Sequence, residues 1–432
     1  MSEEKGGHTM ARQAVTRSHA LRRTLVEELE AVGVLPGRWR QVFTAVPRHW
    51  FLPDTFWSQD GDDSYTAFDR SKDENRWLEG VYRDSAAVIL LDGDPQTDPR
   101  DQIEAKLCCE RPQVVARTLV DLELEPDNKV LTLGAATGWP AGLIRAHLRG
   151  GEVTNVEVHP GLAARAAQSL ARFQLDVRVR VGHVADGWAP DAPFDRIVSA
   201  SAIQGRVPRA WIDQVDPGGL IVTPWSTAWG PGGTLKLRKD STGSAEGRFA
   251  SDGACMACDG GEVPPAPGLV PPTGHPAQQA VTSLNLWDVL GSPDARFAIG
   301  SLLPDTRCFG DVSASVGRAG GRLWLVASGG DSWAAVDRTG DPEQKHFPVR
   351  QFGPRRIFEE VSRAHAWYVN RGSPAIDRYG LSVSPEGRQQ LWLDSATQEV
   401  PSRNQFPPDQ VSADRRVRPR KKLERPSATA GP

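Results

Sequence analysis

The sequence predicts an α/β fold with a doubly wound parallel sheet, followed by a small α+β domain. Strand and helix patterns alternate between residues 129 and 223, which is typical of a parallel sheet covered on both faces by helices. The chain has 432 residues, too many for one ordinary core. After about residue 240 the composition changes to Gly, Ser and Pro. These observations predict two domains.

The predicted elements follow hydrophobic periodicity, with Gly and Pro as boundaries. Residues 59–76 are acidic and polar and are expected to form a loop or insertion. The predicted helices are 12–32, 39–46, 112–122, 141–148, 162–173, 210–215 and 354–370, and the predicted strands are 87–91, 129–133, 152–158, 176–181, 194–199, 219–223, 323–327 and 390–393.

The domain boundaries follow these patterns and the composition. We expect a disordered lead (1–10), an α/β domain (11–260), a linker (261–277), an α+β domain (278–396) and a disordered basic tail (397–432). Within the α+β domain, Ile357, Val361, Ala364 and Trp367 recur at helical spacing, which predicts the buried face of the helix 354–370.

Composition excludes several classes of protein. The net charge of −3 gives no general attraction to nucleic acid or to an anionic membrane. No apolar stretch reaches the roughly 20 residues of a membrane span, and the polar start has no signal-peptide pattern, so the cytoplasm is expected. Five cysteines, two of them adjacent, argue against a disulfide framework. The Cys255–Cys258 pair lacks further ligands at zinc spacing, so we predict no metal site.

A nucleoside-binding pattern lies at the first strand of the alternating region. The strand 129–133 runs into a turn with Gly134 and Gly138, where missing side chains let the backbone approach a ligand. Glu157 ends the next strand, about 20 residues on, where a carboxylate accepts hydrogen bonds from ribose hydroxyls. His159 follows, and we interpret it as a structural residue before Pro160 rather than as a catalytic histidine.

Several motifs in one order and spacing resemble the protein-L-isoaspartate (D-aspartate) O-methyltransferase family over about residues 20–240. They are Val42–Pro53 with its Val46-Pro47-Arg48, Val81-Tyr82-Arg83-Asp84, Val130–Trp139, Phe194–Val198, Val207-Pro208 and Leu220–Pro224. The carboxy-terminal domain resembles an extension on some actinobacterial relatives, a subset of which act on ribosomally made peptides.

The resemblance implies a Rossmann-like, S-adenosylmethionine-dependent methyltransferase fold. It implies carboxyl O-methylation of an aspartate-derived residue in a protein or peptide, for protein repair or peptide modification. Because a carboxylate is already anionic at neutral pH, this transfer requires alignment rather than a strong base. Glu110 and Arg111 take the positions beside the acceptor carboxylate. The implied cofactor-binding residues are Gly134, Ala135, Ala136, Gly138, Glu157 and Val158, with His183 and Val184 at the adenine end.

Three departures from the family pattern support an alternative. Glu110 replaces a serine, Ala136 replaces a glycine of the turn, and His183 replaces an aspartate. The alternative is a catalytically degenerate subunit that keeps the fold and binds a peptide or partner enzyme. A third idea, that the basic tail binds nucleic acid or an acidic leader peptide, competes with a simple solvated tail, and no nucleic acid partner is expected.

Overall fold

The computed structural model describes residues 2–59, 65–90, 106–109, 111–251, 278–310, 321–341 and 343–402. The chain forms two compact units. The first comprises Met1–Ala266 and Ala375–Val400, and the second comprises Pro267–Pro374 and Pro401–Pro432. Residues 267–374 of the second unit are therefore inserted in the sequence of the first.

The helices and strands are numbered in chain order. The helices are α1 Ser2–Ala31, α2 Gly37–Ala45, α3 Glu74–Val81, α4 Pro112–Asp121, α5 Trp139–His147, α6 Pro160–Arg172, α7 Arg209–Gln214, α8 Leu286–Gly291, α9 Pro293–Leu302 and α10 Ile357–Asn370. The strands are β1 Thr55–Gln59, β2 Tyr65–Asp69, β3 Ala87–Leu90, β4 Lys106–Cys109, β5 Lys129–Leu133, β6 Glu152–Glu157, β7 Arg178–Val181, β8 Phe194–Ser199, β9 Ile203–Gln204, β10 Val215–Thr227, β11 Gly230–Lys239, β12 Ala245–Ala250, β13 Gln278–Thr282, β14 Thr306–Gly310, β15 Gly321–Ala327, β16 Trp333–Arg338, β17 Phe347–Phe352, β18 Tyr379–Val383 and β19 Gln389–Leu393.

The main sheet of the first unit confirms the predicted doubly wound, Rossmann-like fold. Its parallel part has the order β7-β6-β5-β8-β10, with α5, α6 and α7 in the connections. The strand order reverses direction at β5, because the chain moves outward to β6 and β7 and then returns to β8 on the other side. Ligands of such sheets bind at this switch point, beyond the carboxyl ends of the strands.

Beyond β10 the sheet continues with antiparallel strands that extend the predicted fold. The order is β10-β11-β12-β18-β19. Strand β12, which precedes the inserted residues in the sequence, therefore pairs with β18, which follows them. The predicted carboxy-terminal domain (278–396) included residues 390–393, but these residues pair with β18 in the main sheet, which corrects the prediction. The error arises because strand partners far apart in sequence leave no local signal.

Both chain ends also differ from expectation. Helix α1 begins at Ser2 and so includes most of the predicted disordered lead (1–10), although this segment contains Gly6 and Gly7, which have low helix propensity. At the other end, the Val400 amide donates to Leu391 O at 2.9 Å, and the Val400 side chain is buried. The predicted tail (397–432) thus starts with a segment packed on β19. The linker 261–277 and residues 403–432 lie outside the described residues.

A smaller antiparallel sheet precedes the main one, with the order β2-β1-β3-β4. The predicted loop or insertion at 59–76 instead contains β2 and the start of α3. Two aromatic contacts explain why this segment forms regular structure. Phe68 stacks on Phe56 with ring centroids 5.2 Å apart, and the Trp77 indole N–H donates to Pro53 O at 3.1 Å. Burial of these rings stabilises a segment whose composition is otherwise polar.

The second unit has the predicted α+β architecture. Its five antiparallel strands have the order β13-β17-β16-β15-β14, and α10 packs on β15, β16 and β17 as well as on α9. The buried residues of α10 include all four residues of the predicted face. No helix in the described part of either unit combines the length and hydropathy of a membrane span.

Candidate cofactor and acceptor site

The turn after β5 approaches its neighbours so closely that glycine is required at two positions. Gly134 has φ +65°, and a Cβ there would lie 2.6 Å from Ser201 Oγ. Gly138 has φ +79°, and a Cβ there would lie 2.9 Å from the Ala166 methyl carbon. Ala136 between them also has a positive φ, of 33°. The turn is therefore a tight, small-residue bend at the switch point of the sheet.

Glu157 lies at the carboxyl end of β6, beside this turn. The Gly134 amide donates to Val156 O at 2.9 Å, so the turn and Glu157 belong to adjacent strand ends. The Glu157 side chain is only 2% exposed, and its Oε1 accepts from the His159 amide at 3.1 Å. Its buried Oε2 has no hydrogen-bond partner among the described residues. A buried carboxylate oxygen without a donor is costly, so this atom fits a hydroxyl group of a ligand.

His159, interpreted from the sequence as a structural residue, lies at the start of α6, and its buried Nδ1 has no hydrogen-bond partner among the described residues. Its backbone starts α6 as the N-cap residue, and its amide orients the Glu157 carboxylate.

Three other predicted cofactor-binding residues, Val184, Val158 and His183, lie in different surroundings. Val184 Cγ1 lies 3.5 Å from the position of a Cβ at Gly134, so the two residues adjoin. Val158, next to Glu157, is an exposed apolar residue, with 57% of its surface accessible. The exposed His183 accepts from the Ala185 amide through Nδ1 at 3.3 Å, which uses that nitrogen within its own loop.

Two serines at the end of β8 belong to the same edge and were not among the predicted site residues: Ser199 is the last residue of the strand, and Ser201 lies just beyond it. Ser199 Oγ donates to Ser201 O at 2.7 Å and accepts from the Ser201 amide at 3.2 Å. This pair of bonds holds Ser201 against Gly134. Their position in the sequence could have predicted them, because the carboxyl ends of the neighbouring parallel strands β5 and β8 meet at one edge of the sheet.

Two cavities open at this edge of the first unit. One cavity is lined by residues 134–137, Trp139 and Pro140 of the turn and α5, together with Arg48, Phe51, Leu52, Val115 and Ala200. An adjoining, mostly apolar cavity lies between α4, α5 and the strands β5 and β8. A concave site at a switch point is the expected place for a ligand in this fold.

Arg48 of the Val-Pro-Arg motif is a buried cation of the cavity wall. Its Nη1 donates to Val81 O at 2.8 Å and to Arg83 O at 3.4 Å, and its Nη2 donates to Ser85 O at 3.3 Å. The guanidinium also lies over the Trp139 ring, 5.5 Å from the centroid. Arg48 therefore joins the segment 81–85 to the start of α5.

Arg111 starts α4 and forms an ion pair with Asp84. Its Nη2 donates to Asp84 Oδ2 at 2.8 Å, while Asp84 Oδ1 accepts from the Gln113 amide at 2.8 Å. The resemblance implied that Glu110 and Arg111 lie beside the acceptor carboxylate. Glu110 lies outside the described residues, and the carboxylate that the structure pairs with Arg111 is Asp84.

His49, the residue after Arg48, is uncharged at neutral pH. Burial, followed by the charge of Arg22, lowers the pKa of His49 from 6.5 to about 4. The Tyr82 hydroxyl lies 2.5 Å from His49 Nδ1, and burial raises the pKa of Tyr82. At neutral pH both partners of this hydrogen bond are therefore uncharged.

Metal ligands and reactive thiols are not part of this site as far as the structure describes it. No group of three or more His, Cys, Asp or Glu is arranged for a metal ion in the described segments. Cys308 of the second unit is a free thiol whose pKa is raised to about 12 by burial. Cys255 and Cys258 lie outside the described residues.

Comparison with known proteins places the chain in a family. Residues 78–247 match the family model described as protein-L-isoaspartate(D-aspartate) O-methyltransferase. A protein-L-isoaspartate O-methyltransferase of Myxococcus xanthus is 32% identical over 175 residues, which are 39% of this chain and 73% of that protein. A solved structure described as a protein-L-isoaspartate O-methyltransferase covers 87% of this chain and all of that one, with 17% identity and a TM-score of 0.49.

Other relatives are matched over a shorter stretch. An enzyme of the same description from Methylorubrum populi is 38% identical over 30% of this chain and 58% of its own length. One from Anaeromyxobacter dehalogenans is 45% identical over 26% of this chain and 54% of its own length. The chain thus spans little more than half the length of these two relatives. The extent of the Myxococcus xanthus match, together with the family model, shows that the chain belongs to the protein-L-isoaspartate O-methyltransferase family.

Proposed function

We propose that this chain transfers a methyl group from S-adenosylmethionine to a carboxylate of an aspartyl or isoaspartyl residue in a protein or peptide. The observation that carries the proposal is the buried Glu157 carboxylate, with one oxygen bonded by the His159 amide and the other without a partner in the described structure. Its position beside the Gly134 turn is what a ribose-binding carboxylate requires. The cytoplasmic location predicted from the sequence is part of the same proposal.

The residues present fit the adenosyl cofactor, which supplies a methyl group activated by a sulfonium charge. Glu157 would accept hydrogen bonds from ribose hydroxyls, and the small residues of the turn would leave room for the backbone to approach. Val158 would cover one face of the adenine. The full proposed set is Gly134, Ala135, Ala136, Gly138, Glu157, Val158, His183 and Val184.

The acceptor side would bind a carboxylate by charge and position. Arg111 lies at the amino-terminal end of α4, where both the guanidinium and the helix dipole favour an anion. Because the acceptor is already ionised, its oxygen needs no general base, and the neutral His49 is consistent with this. The roles of Glu110 and Arg111 beside the acceptor stay predictions.

Calorimetric titration with S-adenosylhomocysteine tests the proposal. The Glu157→Gln variant keeps the size of the side chain but turns a carboxylate oxygen into a donor. We expect it to bind roughly 10- to 100-fold more weakly, the value of a lost hydrogen bond to a charged group. Glu152→Gln is the matched control, because Glu152 begins the same strand, is exposed, and pairs with Arg178 on the surface.

The outcome also separates the enzyme from the alternative binding subunit. No binding to the wild-type chain at millimolar concentration would contradict the proposal and favour the catalytically degenerate subunit. If the wild type binds, incubation with S-adenosylmethionine and an isoaspartyl peptide should add the mass of one methyl group to the peptide, as read by mass spectrometry.

A further inference from the structure

Asp84 has a specific double role at the acceptor side of the site. Its Oδ1 accepts from the Gln113 amide in the first turn of α4, and its Oδ2 accepts from the Arg111 guanidinium. The amide bond satisfies one of the backbone donors that a helix leaves free at its start. The ion pair restricts Arg111, the residue just before Pro112 at the first position of the helix.

The position of Asp84 is itself fixed by Arg48. The guanidinium of Arg48 donates to the carbonyl oxygens on both sides of Asp84, at residues 83 and 85, and to that of Val81. Arg48 is only 2% exposed, so it stays bound to these carbonyls rather than to solvent. A buried cation with several carbonyl partners holds a short turn in one conformation.

The same motif contacts the cofactor side of the cavity. The Trp139 indole N–H donates to Val46 O at 3.1 Å, and the Arg48 guanidinium lies over the Trp139 ring. Trp139 is the first residue of α5, directly after the Gly134–Gly138 turn. The segment Val46–Arg48 is therefore bonded both to the start of α5 and, through Asp84, to the start of α4.

We propose that Asp84 is a positioning residue that orients Arg111 toward the acceptor carboxylate, with Arg48 holding Asp84 in register with the cofactor turn. This inference rests on the proposed function, because it assigns Arg111 to the acceptor. Asp84 does not touch substrate in this arrangement. It acts through Arg111, so its loss should affect acceptor binding and leave cofactor binding unchanged.

Two substitutions separate orientation of Arg111 from simple helix capping. Asp84→Asn keeps an oxygen for the Gln113 amide but removes the ion pair, whereas Asp84→Ala removes both. We expect both variants to raise KM for a peptide containing one isoaspartyl residue by about 2- to 5-fold, because an exposed ion pair contributes modestly. Affinity for S-adenosylhomocysteine should match the wild type. Only Asp84→Ala should lower Tm, by a few degrees.

A double-mutant cycle gives the decisive comparison. Once Arg111 is replaced in Arg111→Met, adding Asp84→Asn should raise KM no further, because no guanidinium remains to be oriented. An unchanged KM in Asp84→Asn alone would overturn the proposal and leave Asp84 as a helix cap. Additive effects of the two substitutions, or weaker cofactor binding in Asp84→Asn, would overturn it too.

The same design distinguishes failure of this inference from failure of the proposed function. Binding of the isoaspartyl peptide is also measured by calorimetry without any cofactor. A wild-type chain that binds the peptide but no S-adenosylhomocysteine contradicts the proposed function, and weaker peptide binding by Asp84→Asn would still support the orientation of Arg111. A wild-type chain that binds neither ligand contradicts both.

Discussion

Ala136 has left-handed backbone geometry, and it is also one of the residues that line the cavity beside the turn. Its φ is +33°, and it is buried between Gly134 and Gly138. An alanine there costs about 1–2 kcal/mol relative to glycine in the folded state. The departure from a glycine-rich turn thus has two consequences, backbone strain and a smaller cavity.

Replacement of Ala136 by glycine should separate these consequences. Relief of strain would be offset by the larger entropy of glycine in the unfolded chain, about 0.4–1 kcal/mol. We therefore expect the free energy of unfolding in urea to change by at most about 1.5 kcal/mol. The affinity for S-adenosylhomocysteine should increase, because the cavity beside the turn gains the volume of a methyl group.

One result for Ala136→Gly would contradict the expected gain in affinity. Weaker cofactor binding by Ala136→Gly, with stability maintained, would show that the methyl group contacts the cofactor favourably. Gly134→Ala is a useful comparison, since its added Cβ would lie 2.6 Å from Ser201 Oγ and both stability and binding should fall.

At the scale of elements, the hairpin of β18 and β19 depends on one glycine. A Cβ at Gly380 would lie 2.2 Å from the Trp392 ring and 2.6 Å from Gly247 O on β12. The Trp392 ring lies across this position, its indole N–H donates to Ser382 Oγ at 2.9 Å, and Arg248 lies over the ring. An aromatic ring covering a strand glycine binds three adjacent strands together.

Gly380→Ala should therefore destabilise the first unit. The new methyl group cannot be accommodated without moving Trp392 or the β12 backbone, and overpacking of this kind costs roughly 1–3 kcal/mol. Thermal unfolding followed by circular dichroism measures the loss. Gly310→Ala is the matched control, because that strand glycine has its nearest atom, of Leu323, at 3.6 Å. Equal Tm values for the two variants would contradict the packing described.

At the scale of the whole molecule, the first unit is built from two separated parts of the chain. Strands β18 and β19 follow the inserted unit yet pair with β12, which precedes it. The residues of the first unit that flank the inserted residues lie near each other. Ala250 and Ile376 both adjoin Gly233, since a Cβ at Gly233 would lie 2.4 Å from Ala250 O and 3.2 Å from Ile376 Cγ2. The ends of the first unit on either side of the insertion are therefore close enough to be joined by a short loop.

We expect removal of the insertion to be tolerated better than removal of the carboxy-terminal hairpin. Replacement of residues 252–374 by a short Gly/Ser linker should leave a first unit that unfolds cooperatively and binds S-adenosylhomocysteine, because closing a short loop costs little. Truncation after residue 374 should abolish both properties, since it exposes β12 and frees Arg206 and Val207, which bond to Gly387 and Gln389. A stable truncated chain would refute this architecture.

The sequence by itself determined the parallel core and the edge of the sheet at which the cofactor site is proposed. Regular alternation of strands and helices needs only local periodicity, and it located β5, β6 and β8 and the turn with Gly134 and Gly138. Glu157 was found because the carboxyl ends of neighbouring parallel strands meet at one edge. Such features depend on residues close in sequence, so a single sequence is sufficient to predict them.

Only the tertiary structure decided which distant segments meet. The pairing of β18 with β12 and the bonding of Arg48 to residues 81–85 join residues that are tens to more than a hundred positions apart. The Asp84–Arg111 ion pair likewise joins residues that are far apart in the sequence. These contacts depend on how helices and strands pack in space, and packing leaves no periodic signal in the sequence of either partner.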